Sequence, residues 1–150
     1  MSAFVTAGAG FLLAVLWFDL MFDVQVLGQS GHELPEERLS SIAAYYARVT
    51  TAARPMNRLI VVAMLGTLAA IVVEVVKGGG VPSAVAWVSL ALAAAPIGLV
   101  GARTVPNAVH LGTRADMPQQ QSALARSIFH EHVFCFASIA ALIALQLSCS

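Results

Sequence analysis

Asp19 and Asp23 stand four residues apart at the end of an apolar run, a spacing that puts both carboxylates on one face of a helix. Arg54 and Arg58 open a second apolar run, Arg103 closes a third, and His130, Glu131 and His132 open a fourth. Four helices joined in sequence would bring all of these groups to one end of a bundle. Acids, guanidinium groups and imidazoles at one depth are the ingredients of proton transfer, oxyanion binding or metal ligation. Asn107 and His110, in the preceding loop, could cover them.

Three readings of this cluster follow from residue type. In the first it is structural: Asp19 pairs with Arg58 or Arg103, and His130 completes the network and holds the helices in register. In the second it performs acid–base chemistry on a small apolar molecule that enters from a bilayer. A base in a dry pocket needs its basicity tuned by neighbours, which the cluster can supply. His130 is then the base, Arg103 and Arg126 orient an oxyanion, and Arg58, Tyr46 and His110 line the substrate pocket. In the third the cluster holds a metal. Asp19, Asp23 and Glu131 with histidine would suit iron or zinc, whereas Met21, Met56, His130 and Cys135 would suit copper. No HExxH, CxxC or ExxH pattern is present, and His130 and His132 project about 200° apart on a regular helix. The pair therefore cannot hold one metal between them. Iron or copper stays a cofactor class that no motif requires.

The elements that must position these groups are legible from hydropathy. The chain has 150 residues, 59% hydrophobic and 11% charged, with a mean hydropathy of +0.82. Soluble domains carry about 25% charged residues. The apolar excess falls into blocks at residues 3–22, 59–76, 81–102 and 128–147, each close to the ~20 residues that cross a bilayer as a helix. Four segments cannot close a barrel, so the expected fold is all-α: a four-helix membrane bundle forming a single domain. The first block has no basic flank and ends in Trp17-Phe18-Asp19, so it reads as a span and not as a cleaved signal peptide. Glu36 to Ala53, after Pro35, repeats apolar residues at helical spacing and reads as an interfacial helix leading into span two. Asp116 with Pro118 starts a helix that runs through span four. Gly66/Ala70, Ala91/Ala95, Ala94/Gly98 and Ala137/Ala141 offer small-xxx-small packing, and Pro96 is a kink position in span three. Glu74 is expected to pair with Lys77 one turn on. Trp17, Tyr45 and Tyr46 read as interface aromatics, a tyrosine also being a pocket candidate.

The net charge is zero and no basic stripe exists, which excludes nucleic acid as a partner. Arg38, Arg48, Arg54, Arg58, Arg103, Arg114 and Arg126 all fall at the two long loops, and Lys77 alone lies at the other end. The positive-inside rule then puts the loops in the cytoplasm and both termini outside it. Low Lys with abundant Ala and Arg suggests a bacterial inner membrane. The expected partners are the lipid bilayer, a lipophilic small molecule, and a second copy of the chain or a larger membrane complex.

The run Arg54-Pro55-Met56-Asn57, then Ala102-Arg103-Thr104-Val105-Pro106, then Leu124-Ala125-Arg126 with His130 resembles small four-helix membrane proteins of the anthrone-oxygenase-like group and its relatives of unknown function. The resemblance implies a four-helix bundle with Arg103 and Arg126–His130 facing each other. It also implies oxygenation of a polycyclic, quinone-related substrate. Asp19 and Asp23 lie outside the matched positions. The expected function is therefore a membrane oxidoreductase or oxygenase acting on a lipophilic, quinone-like molecule. The alternatives are a small-solute or metal-ion carrier, or an accessory subunit of a larger membrane complex.

Overall fold

The computed structural model describes residues 2–29, 31–78 and 82–149, without the side chains of Ser2 and Arg54. Gly79, Gly80 and Val81, in the expected turn and at the start of span three, lie outside the described residues, as does the side chain of Arg54 in the expected cluster. Every regular element among the described residues is helical. They are α1 (Ser2–Asp23), α2 (Glu36–Ala47), α3 (Arg54–Lys77), α4 (Ser83–Leu99), α5 (Val105–Thr113) and α6 (Pro118–Ser148). Among the described residues four helices are long and apolar enough to cross a membrane: Ala3–Val26, Pro55–Lys77, Ser83–Thr113 and Pro118–Ser148.

The spans form a ring in which α1 packs on α3, α3 on α4, α4 on α6 and α6 back on α1. The buried stripes explain why. In α1 the inward line is Val5, Ala9, Leu12, Leu16 and Asp23, and in α4 it is Ala86, Ser89, Ala93 and Pro96. Steps of three and four alternate along α4 and along α1 as far as Leu16, with Asp23 two such steps further on, the pattern that packs helices at a shallow left-handed angle. Most of the α4 line is small, and Gly8 of α1 approaches Thr67 of α3 so closely that an added Cβ would sit 2.1 Å from Thr67 Oγ1. Backbones therefore approach where small residues allow it. The expected small-xxx-small pairs do not supply this contact. Gly66, Ala91, Ala94, Ala95, Gly98, Ala137 and Ala141 are exposed on the outside of the ring.

The two termini lie at one end of the ring and the long connections at the other. At the loop end α2 and α5 pack together as a cap with its own core: Leu39, Ile42, Ala43, Tyr46, Ala108 and Leu111. Glu36 and Glu37 sit in the first turn of α2, where carboxylates favour the positive helix end. Arg48–Ala52 is a π-helical turn, and the chain then turns at Ala53 into α3 with Pro55 in its first turn. A second π-helical stretch, Val100–Thr104, follows Pro96 and carries the chain from α4 into α5. Gly112 lets α5 lie against α2, where an added Cβ would come within 2.9 Å of the Ala47 backbone nitrogen.

At the terminal end, Glu74 does not pair with Lys77. It is 1% exposed, in line with Thr67 and Ile71 on the inward face of α3, and neither carboxyl oxygen has a hydrogen-bond partner. Sequence spacing offers the pair, but the inward stripe of α3 turns Glu74 into the bundle and leaves Lys77 at the exposed helix end.

Candidate active site

The inward stripe of α6 decides which histidine enters the bundle. Ala125, Ile128, His132, Cys135, Ile139, Leu142 and Gln146 are buried in alternating steps of three and four. His132 belongs to this stripe, and His130, two residues earlier, faces outward. The α1 stripe, continued past Leu16, arrives at Asp19 and then Asp23 at the same loop end.

Between these stripes and the α2 cap lies a hydrogen-bonded cluster of five side chains. His132 donates from Nδ1 to Asp23 Oδ2 at 2.6 Å. Tyr46 donates its hydroxyl to Asp23 Oδ1 at 2.6 Å and lies 3.4 Å from His132 Nδ1. Asp23 is 0% exposed, so both its oxygens are satisfied by side chains. Tyr45 donates to Asp19 Oδ1 at 2.6 Å, and Asp19 Oδ2 stands 4.0 Å from His132 Nε2. Tyr45 stacks on Phe22 at 4.0 Å and meets Tyr46 edge-on at 5.3 Å. Burial and the neighbouring carboxylates of Asp19 and Asp23 push both tyrosine hydroxyls well above the usual range, so both stay protonated donors.

With Nδ1 committed to Asp23, the second imidazole nitrogen is the reactive one. His132 lines a cavity of about 550 Å³ in contact with all six helices. The polar wall of that cavity is Asp19, Tyr45, Tyr46, Thr50, Asn57, Thr104 and His132, and the rest is apolar. Phe18, Met56, Val61, Val105 and Val109 line it and are also exposed on the outside of the ring. Its mouth is therefore apolar and opens sideways. The arrangement sets an imidazole nitrogen free to exchange a proton beside a cavity lined mostly by apolar side chains. Asp23 and Asp19 would offset the imidazolium that forms, as the carboxylate does in other His–Asp pairs.

The other expected site residues go elsewhere. His130 donates from Nδ1 to the Arg126 carbonyl at 2.8 Å and lies outside the cavity. Arg126 donates to the carbonyls of Gly31 at 2.6 Å and His32 at 3.1 Å, tying down the loop before α2. His110 pairs with Asp116 at 3.1 Å across the α5–α6 turn. Arg58 is exposed and does not line the cavity. Arg103 Nε stands 3.6 Å from Glu131 Oε1, on the outer α4–α6 face. The expected pairing of Asp19 with Arg58 or Arg103 is thus replaced by Tyr45 and His132. Of the residues proposed to line a pocket, Tyr46 is in place.

Asp19 and Asp23 do come together, but Glu131 does not join them. It accepts hydrogen bonds from Thr104 at 2.7 Å and Ser127 at 3.0 Å, about 100° round α6 from His132. Met56 and Cys135 line the cavity, while Met21 and His130 do not. Among the described residues no three His, Cys, Asp or Glu side chains converge as a metal-binding group.

No protein-family model, characterised protein or solved structure matches this chain.

Proposed function

We propose that the chain is a membrane oxidoreductase whose cavity takes a lipophilic phenol or quinol, with His132 as the base. The observation that carries this reading is the pairing of His132 Nδ1 with the fully buried Asp23 at 2.6 Å, in a residue that lines a largely apolar cavity and keeps its other imidazole nitrogen 4.0 Å from Asp19 Oδ2. The polar wall is rich in acceptors. Both tyrosine hydroxyls are already donated to carboxylates, which leaves the Asn57 amide as a donor on the wall and the His132 imidazole as the acceptor that a phenolic O–H would meet.

Transfer of the phenolic proton to His132 Nε2 gives a phenolate and an imidazolium. The phenolate is far more easily oxidised than the phenol: a quinol that passes two electrons and two protons to dissolved dioxygen leaves as the quinone, and the dioxygen leaves as hydrogen peroxide. Asp19 and Asp23 act here by holding charge and orientation, and no metal is needed for the proton step. The arginine-rich loop end faces the cytoplasm of a bacterial inner membrane in this reading.

A decyl-substituted benzoquinol is the test probe, with binding followed by quenching of tryptophan fluorescence in reconstituted protein. Gly101 lines the cavity, and a Cβ there meets nothing within 4 Å, so Gly101→Leu puts a large side chain at the cavity lining with no contact at its Cβ. Binding should be saturable in the wild type, lost in Gly101→Leu, and unchanged in His130→Ala. Oxidation of the probe should be lost in His132→Gln. Binding that survives Gly101→Leu would remove the cavity from the proposal, and turnover that survives His132→Gln would remove the base.

A further inference from the structure

Arg103, His130 and Glu131 are absent from the cavity but not scattered. With Ser127, Leu99 and Phe134 they line a groove of about 310 Å³ on the outer face between α4 and α6. Glu131 and His132 are consecutive on α6, so the groove and the cavity open on different faces of one helix.

The groove is polar at one end and apolar at the other. Arg103 and His130 form its loop-end rim. Leu99 lies four residues before Arg103 on the α4 side, and Phe134 lies four residues after His130. Each is about one turn, or ~5–6 Å, nearer the membrane centre. Phe134 is exposed on the outside of the ring, so the apolar end meets lipid tails.

The charges at the rim are unequally committed. Glu131 is buried, with its oxygens held by Thr104, Ser127 and Arg103 Nε. The Arg103 side chain is 64% exposed, and among the described residues its one ionic contact is Glu131 at 3.6 Å. Its terminal nitrogens keep a planar fork of donors that matches two oxygens of a phosphate. The exposed His130 ring commits Nδ1 to the Arg126 carbonyl and turns its other nitrogen outward. An ammonium headgroup would find no free acceptor here, since the one carboxylate is already satisfied.

We propose that the α4–α6 groove is a binding site for an anionic phospholipid. Its phosphate sits on the Arg103 fork beside His130, and an acyl chain lies along Leu99 and Phe134. The site is independent of the cavity and of any activity there.

The test is native mass spectrometry of the full chain released from mild detergent with phosphatidylglycerol or phosphatidylcholine added. Phosphatidylcholine offers the same phosphate but adds an ammonium that finds no free acceptor beside Arg103, so phosphatidylglycerol should be retained over phosphatidylcholine by about ten-fold. Arg103→Ala should abolish that preference. His130→Glu keeps the Arg103–Glu131 contact but places a negative charge at the rim, so it should abolish the preference too, even if Arg103→Ala fails to fold. Arg58→Ala, at an exposed arginine outside the groove, should leave it intact. A preference below about three-fold overturns the proposal. So does one that survives His130→Glu, or one that Arg58→Ala removes as fully as Arg103→Ala.

Discussion

Replacing each of the two neighbouring histidines by alanine should give opposite results, and the structure sets the size of the difference. His132 is 6% exposed and gives Asp23 a 2.6 Å hydrogen bond. A hydrogen bond to a charged group contributes about 1.5–3 kcal/mol, and breaking a buried pair costs about 3–5 kcal/mol because the partner stays behind unpaired. Asp23 keeps its bond from Tyr46, which limits the damage, so we expect His132→Ala to cost about 3 kcal/mol. That is roughly a hundred-fold in the unfolding constant. His130 is exposed, and its substitution should stay within about 0.5 kcal/mol. The assay is unfolding of micelle-bound protein by added dodecyl sulfate, followed by circular dichroism. A double-mutant cycle of His132→Ala with Asp23→Asn should show a coupling of about 1.5–3 kcal/mol. Equal losses at the two histidines, or a coupling near zero, would refute the arrangement on which the site depends.

Three further outcomes follow from the same structure. The chain's two tyrosines, Tyr45 and Tyr46, are both in the cluster, so an ultraviolet titration reads it without background. Their folded pKa values lie above the unfolded value of about 10, so the stability they contribute is full below pH 10 and falls as pH rises past it. Tyrosinate absorbance should appear only as helix content is lost, and growth of that band near pH 10 in a folded protein would contradict the cluster. Glu74→Met replaces a buried carboxyl without hydrogen bonds by an apolar side chain of similar reach and should raise stability by about 1–3 kcal/mol in the same unfolding assay; a loss would mean that Glu74 has a partner. Gly112→Ala drives a methyl group into the Ala47 backbone and should cost about 1–3 kcal/mol, measured as a lower thermal midpoint, whereas Gly66→Ala, in open space, should not lower it.

The four spans were legible because lipid demands long apolar runs, and the chain supplies them with little interruption. The interfacial helix was legible as well, since Leu39, Ile42, Ala43 and Tyr46 recur at helical spacing and all four are buried. Short α5 was not, because residues 105–113 include Pro106 and Gly112 and continue α4 through a π turn that no local pattern announces. The choice between His130 and His132 turned on helix phase. Arg126 and His130 share a polar face four residues apart, yet the three–four alternation of Ala125, Ile128, Cys135, Ile139 and Leu142 passes through His132. That alternation is present in the sequence and would have found the buried histidine. The arginines misled for a different reason. Their long stems carry the charge away from the apolar face toward polar surroundings, so nearness in sequence to the cluster did not mean entry into it. The partnership of Asp19 with Tyr45 needed the cap to fold back over α1, which only tertiary structure reveals.

The sideways mouth of the cavity changes what affinity means for this protein. A ligand arriving between Phe18, Met56, Val61, Val105 and Val109 comes from the pool dissolved in the bilayer and not from water. Most of the free energy of leaving water has then been released before the ligand meets the chain. Methylene groups favour the bilayer by about 0.8 kcal/mol each, so a ten-carbon tail is enriched there by several orders of magnitude. A site fed by such a pool can hold its ligand weakly, with a millimolar constant on the membrane scale, and still remain filled. Weak holding means fast exchange, and turnover would then follow lateral diffusion and the composition of the membrane more closely than the amount of ligand in the surrounding water.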